Sequence, residues 1–137
     1  MGFYRIVNYE EIKNTIENGF WKSNNRIQGP YEAGTVIFVF EFNSPKNMTK
    51  RYGATIASLR DETGKIYVLE FDFDKKEIEN DKSQCGWSET RVYHGSIALD
   101  KIRCIGYCNV TNSNSGNYEV SELIFYDKPK KIEELYE

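Results

Sequence analysis

The sequence predicts a single α+β domain: mostly antiparallel twisted sheet, with an N-terminal helix and one further short helix. Three observations carry this expectation. Residues 3–20 pass from a β-prone run into helical spacing, Lys65 to Phe73 alternates strictly between two faces, and further β-prone runs lie between turn-forming segments. A chain of 137 residues reads as one domain spanning 1–137, long enough to fold around its own core without disulfides or a metal.

The opening element is the most explicit. Phe3-Tyr4-Arg5-Ile6-Val7 is β-prone, and Asn8 then stands as a helix N-cap with Glu11 at capping-box spacing. Tyr9, Ile12, Ile16 and Phe20 recur at helical intervals, and Gly19 is placed to stop the helix. Trp21 to Gly34 is polar, holds Gly29-Pro30 and reads as a long loop. Thr35 to Phe42 is apolar except for Glu41, as in a central strand covered on both faces.

Ser44-Pro45 opens a helix, with Met48, Tyr52, Ile56 and Leu59 on one face. A competing assignment makes residues 54–60 a strand turning through Asp61-Glu62-Thr63-Gly64. In the strand Lys65 to Phe73, Tyr67, Leu69, Phe71 and Phe73 face one way and Ile66, Val68, Glu70 and Asp72 the other. Asp74 to Gly86 reads as a second long loop, Glu89 to His94 as a short strand. Ile102 to Val110 and Tyr118 to Tyr126 then form a hairpin around the turn residues 112–117, and a charged tail, 127–137, reads as a loosely held helix.

Composition narrows the function. The formal net charge is −3, which argues against a general nucleic-acid binder, although Lys46, Lys50 and Arg51 mark a local basic patch. No signal-peptide pattern and no membrane-length apolar run is seen, so a cytoplasmic protein is expected. Three cysteines, Cys85, Cys104 and Cys108, lack C-x-x-C spacing, and with the single histidine, His94, they give no metal site. Reduced cysteines follow, with Cys104 and Cys108 expected on one face of their strand. Phosphate-cradling loops, nucleophile elbows and zinc-helix motifs are absent.

The opening FYRIVNYEEIKNTIENGF resembles the first strand and helix of small ADP-ribosyltransferase-like domains. Tyr4-Arg5 matches the aromatic-Arg pair at the end of that strand, and Ile12-x-x-x-Ile16-x-x-Gly19-Phe20 matches the helix that follows. The likeness runs to about residue 105, through TVIFVFEF, KNMTKRYG, KIYVLEFDF and WSETRVYHGSIALDKI. It implies an enzyme that takes NAD as substrate and transfers ADP-ribose to an acceptor. Glu89 would be the catalytic carboxylate, stabilising the oxocarbenium-like state as the nicotinamide–ribose bond breaks. Arg5 would hold the dinucleotide, Tyr52 would stack on it, and Trp87 and Arg91 would flank Glu89. Tyr4 and His94 complete the implied cofactor-binding set. The rival reading is a non-enzymatic protein-binding module, of the kind found in toxin–antitoxin or mobile-element systems, using a tyrosine-rich sheet or the 21–34 loop.

Overall fold

The computed structural model describes residues 2–21, 31, 35–81, 88–112 and 116–135. Its elements, in chain order, are strand β1 (Gly2–Val7), helix α1 (Tyr9–Asn18), strands β2 (Phe20–Trp21) and β3 (Val36–Phe42), and helices α2 (Met48–Arg51) and α3 (Gly53–Ser58). Strands β4 (Lys65–Phe71), β5 (Ile78–Asn80), β6 (Thr90–His94), β7 (Ile97–Ala98), β8 (Ile102–Asn112), β9 (Tyr118–Val120) and β10 (Ile124–Lys131) follow. The chain is an α+β protein built on one large antiparallel sheet, ordered β10-β8-β4-β1-β3-β6-β5, with β9 also paired to β8. A small ladder joins β2 to β7. Among the described residues no helix is long and apolar enough to cross a membrane.

The strand–helix opening forms as its local chemistry dictates. The Asn8 side chain accepts a hydrogen bond from the Glu11 amide at 3.0 Å, closing the first turn of α1. Gly19 ends the helix with φ 81°, a left-handed conformation that glycine adopts without steric cost, and its amide meets the carbonyls of Thr15 and Ile16.

Because side chains alternate, the sheet sorts its residues into two cores. Phe3 and Val7 of β1, Leu69 and Phe71 of β4, and Ile37 and Val39 of β3 pack with Ile12 of α1, Trp21 and the C-terminal turn residues Ile132 and Leu135. Tyr4 and Ile6, with Ile66 and Val68, pack on the opposite face against Met48, Tyr52 and Ile56. The sheet thus separates an α1 face from an α2–α3 face, and every side chain on β1 belongs to one or the other.

Several sequence expectations are corrected. The 45–59 segment is helical, not a strand at 54–60, but it runs as a 3-10 turn (Pro45–Asn47), then α2 and α3, with a break at Tyr52. The 74–86 segment contains edge strand β5. The final strand divides: β9 pairs with residues 110–112 of β8, and β10 pairs with residues 103–107 and runs to Lys131. The tail is therefore strand and a short 3-10 turn (Ile132–Leu135) rather than a helix. Pro129 explains this, since its ring disfavours helical geometry at Lys128 and it offers no amide to a helix.

Cys104 and Cys108 do not share a face. The register of β8 against β4 slips by one residue, from Val68 opposite Gly106 to Leu69 opposite Cys104, leaving Ile105 as an extra residue. That bulge reverses the alternation, so Cys104 enters the α1-side core and Cys108 the α2–α3 core. Both are buried and in no disulfide, Cys104 Sγ donating to the Gly106 carbonyl at 3.3 Å, and burial pushes each thiol up to about 11. Cys85 and Trp87, and the 21–34 loop apart from Trp21 and Tyr31, lie outside the described residues, except that Thr35 resumes just beyond.

Candidate functional site

The residues expected to form one NAD site fall into separate groups. Glu89 lies in the turn entering β6, where its carbonyl accepts from the Glu41 amide at 3.0 Å. Its carboxylate is gripped from several directions. Arg51 donates through Nε to Oε1 and through Nη2 to Oε2, the second contact at 2.9 Å. The Tyr52 hydroxyl donates to Oε1, and Ser88 Oγ donates to Oε2 at 3.0 Å. A bidentate guanidinium with two hydroxyls satisfies both oxygens of the carboxylate. The Arg51 hydrogen bonds, aided by the Tyr52 hydroxyl, hold the Glu89 carboxyl down at about 2. Tyr52 responds oppositely: burial, then its bond to the anionic Glu89, raises the phenol.

Tyr52 presents no ring face to a ligand. It is 1% exposed, stacked on Phe40 at 4.3 Å between centroids, with Phe42 edge-on at 5.9 Å. Its packing is that of a core anchor whose hydroxyl reaches the sheet margin. The Tyr4 ring is on the same face, opposite Glu70 in β4, which in turn opposes Arg103 in β8. Arg103 donates to Glu70 at 2.5 Å, and burial followed by Glu70 raises the Tyr4 phenol. This is a row of cross-strand contacts over β1, β4 and β8, with β3 between it and β6.

Arg5 lies on the other face. Its guanidinium donates to Glu11 Oε1 from Nη2 at 2.8 Å and from Nε at 3.1 Å, and to the Phe38 carbonyl at 2.9 Å. It also sits 5.6 Å from the centroid of Trp21. Arg5 therefore ties β1 to α1 and β3. Arg91 shares this face, because it pairs across from Val39, whose side chain lies in the α1-side core. It donates to Glu41 at 3.1 Å. His94 ends β6 at the margin, 3.1 Å from exposed Glu79 on edge strand β5.

The structure therefore brings Glu89 together with Tyr52, and Arg5 onto one face with Arg91, whose Nη1 also donates to the Ser88 carbonyl beside Glu89 at 2.8 Å; Arg5 and the Glu89 carboxylate are bonded on opposite faces of the sheet. A single cleft holding Arg5 and Glu89 is not formed. Sequence reasoning missed Arg51 as the partner of Glu89 and Glu41 as the carboxylate on the arginine face. The pairings that create both are long-range, 38 and 50 residues apart. Among the described residues no group of three or more His, Cys, Asp or Glu side chains is placed to hold a metal ion.

Among the described residues a further concave surface lies elsewhere on the α2–α3 side. A groove of about 690 Å³ runs between α2–α3 and β9, and a second of about 460 Å³ continues it past Arg60 and Tyr118 toward Asp61 and Glu62. No family model matches this chain, and no curated protein or solved structure does so either.

Proposed function

We propose that this domain is a non-enzymatic protein-binding module. The observation that carries the reading is the state of Glu89. A carboxylate that steadies a developing ribosyl cation has to meet the ribose, within reach of the cation that holds the phosphates. Glu89 instead spends both oxygens on Arg51, Tyr52 and Ser88, and Arg5 is committed to Glu11 and Phe38 beneath the opposite face. These are the bonds of an anchor that pins the β6 turn to α2. Nothing in them is left over for a substrate unless the anchor is broken. The exposed large apolar side chains Tyr118, Ile124 and Phe125, all near the β8 margin of the sheet, are the kind of surface a partner covers.

A transferase reading retains one specific support. Arg5 and Arg91 share the α1 face, and Glu41 stands there beside Arg91. An NAD-consuming enzyme of this fold would then use Glu41, not Glu89, as its carboxylate. One assay separates the two readings: release of nicotinamide from millimolar NAD, together with the thermal shift that NAD produces. The binding module releases none and gains no stability. Turnover that Glu41→Gln abolishes and Glu89→Gln spares would replace it with the transferase.

A further inference from the structure

We infer that the groove between α2–α3 and β9 is a docking site for an acidic segment of a partner protein, whose large apolar side chain seats over Gly53 and Ala57. This rests on the binding reading above and names its surface and its partner's chemistry.

The groove is built for insertion. Its helical wall carries Gly53, Ala54 and Ala57, so the α3 backbone lies close to the opening. A Cβ added at Gly53 would meet nothing within 4 Å, which means that the space above it is open. The opposite wall is Val120 with Tyr118, which is 43% exposed. Arg60 fixes that wall in place: its guanidinium lies 3.7 Å from the Tyr118 ring centroid, and it donates to the Ala57 carbonyl at 2.7 Å. The resulting slot has aliphatic and aromatic sides and a cation at its end.

Charge decides the occupant. Residues 43–60 carry Lys46, Lys50 and Arg60, besides the Arg51 already paired with Glu89, and not one acidic residue, in a chain whose net charge is −3. Lys50 and Arg60 line the groove itself, and Glu122 is the one acid on its lining among the described residues. A cationic surface attracts an anionic segment and disfavours symmetric pairing of this surface with its own copy. The extension past Arg60 ends at Asp61 and Glu62, so the acidic stretch lies toward Lys50 rather than toward that end. A nucleic acid would meet the same cations. It would find, however, only one tyrosine, already covered on one side by Arg60, where a stacking platform needs open rings.

The test uses a fluorescein-labelled, glutamate-rich peptide with a central Leu-Trp pair and the whole protein, read by fluorescence anisotropy. Saturable binding is expected, weakening as salt rises from about 50 to about 300 mM. Gly53→Leu, whose Cβ would meet nothing within 4 Å and whose melting temperature is measured beside that of wild type, should weaken it about tenfold or more. Lys50→Glu, on the exposed face, should weaken it about threefold or more, and replacing Leu-Trp by Ala-Ala in the peptide about fivefold or more. Equal affinity of Gly53→Leu and wild type overturns the groove assignment. Equal affinity of the alanine peptide overturns the apolar insertion, and tighter groove-dependent binding of oligo-dT overturns the protein partner. Nicotinamide release by the same sample is scored separately. Turnover with peptide binding intact removes the binding-module reading alone, whereas no peptide binding and no turnover removes the docking site alone.

Discussion

Replacing Glu89 by glutamine keeps the shape of the side chain and removes its charge, which makes it the sharpest probe of the Arg51–Tyr52–Glu89 contact. A carboxyl held at about 2 instead of its ordinary 4.5 sets an upper bound of ~3.4 kcal/mol on the stability gained from its ionised form. The Arg51 side chain is 43% exposed, so solvent screening reduces this to ~1–2 kcal/mol. For a chain of 137 residues that corresponds to a melting temperature lower by ~3–7 °C. The pH dependence is the stronger signature. Because the folded value is depressed, the contribution is fully present above about 4.5 and is lost as pH falls toward about 2. Urea melts of wild type and Glu89→Gln should therefore differ fully at neutral pH, and by less than half of that at a pH of about 3. A difference that does not change with pH, or no difference at all, would refute the ionic anchor.

Other perturbations probe the frame that holds these groups. Gly106→Ala would set a methyl against the Ile124 backbone, about 3.1 Å from its carbonyl carbon and from the Phe125 Cα. A loss of ~2 kcal/mol or more is expected, with rising amide exchange in β10 before the rest of the sheet. Asn8→Ala removes both the cap to Glu11 and the 3.2 Å bond to the Leu59 carbonyl that links α1 to the end of α3. Chemical denaturation should show a cost of ~1–2 kcal/mol. Cys104 and Cys108, buried and with thiols raised to about 11, should resist a thiol reagent at mildly alkaline pH in the native protein and react once urea unfolds it. Labelling of either in the native state at the rate of a free thiol would contradict the packing.

The parts legible in the sequence are those fixed by short-range chemistry. Asn8, Glu11, Ile12, Ile16 and Gly19 specify α1 within one stretch of chain, and the alternation of Ile66 to Phe73 assigns those side chains to the correct faces. The rest depends on pairing. Whether Arg5 and Glu89 meet is decided by which side of β1 the arginine takes and by a turn entering β6 that is two strands away. The parity of β8 changes at a single inserted residue, and Gly106 beside it was the one local sign, since glycine within a strand marks a bulge or a close approach. The β10 strand was disguised by its lysines and Pro129, the residues that suit an exposed sheet edge. The groove had a signal too: small residues at 53, 54 and 57 beside an acid-free basic stretch.

Separation of Arg5 from Glu89 by the sheet is the claim on which the functional reading turns, and a double-mutant cycle measures it directly. Arg5→Ala and Glu89→Gln should be additive in unfolding free energy to within ~0.5 kcal/mol, while Arg51→Ala and Glu89→Gln should couple by ~1 kcal/mol. Coupling of ~1 kcal/mol or more between Arg5 and Glu89 would place them in one site and contradict the arrangement described.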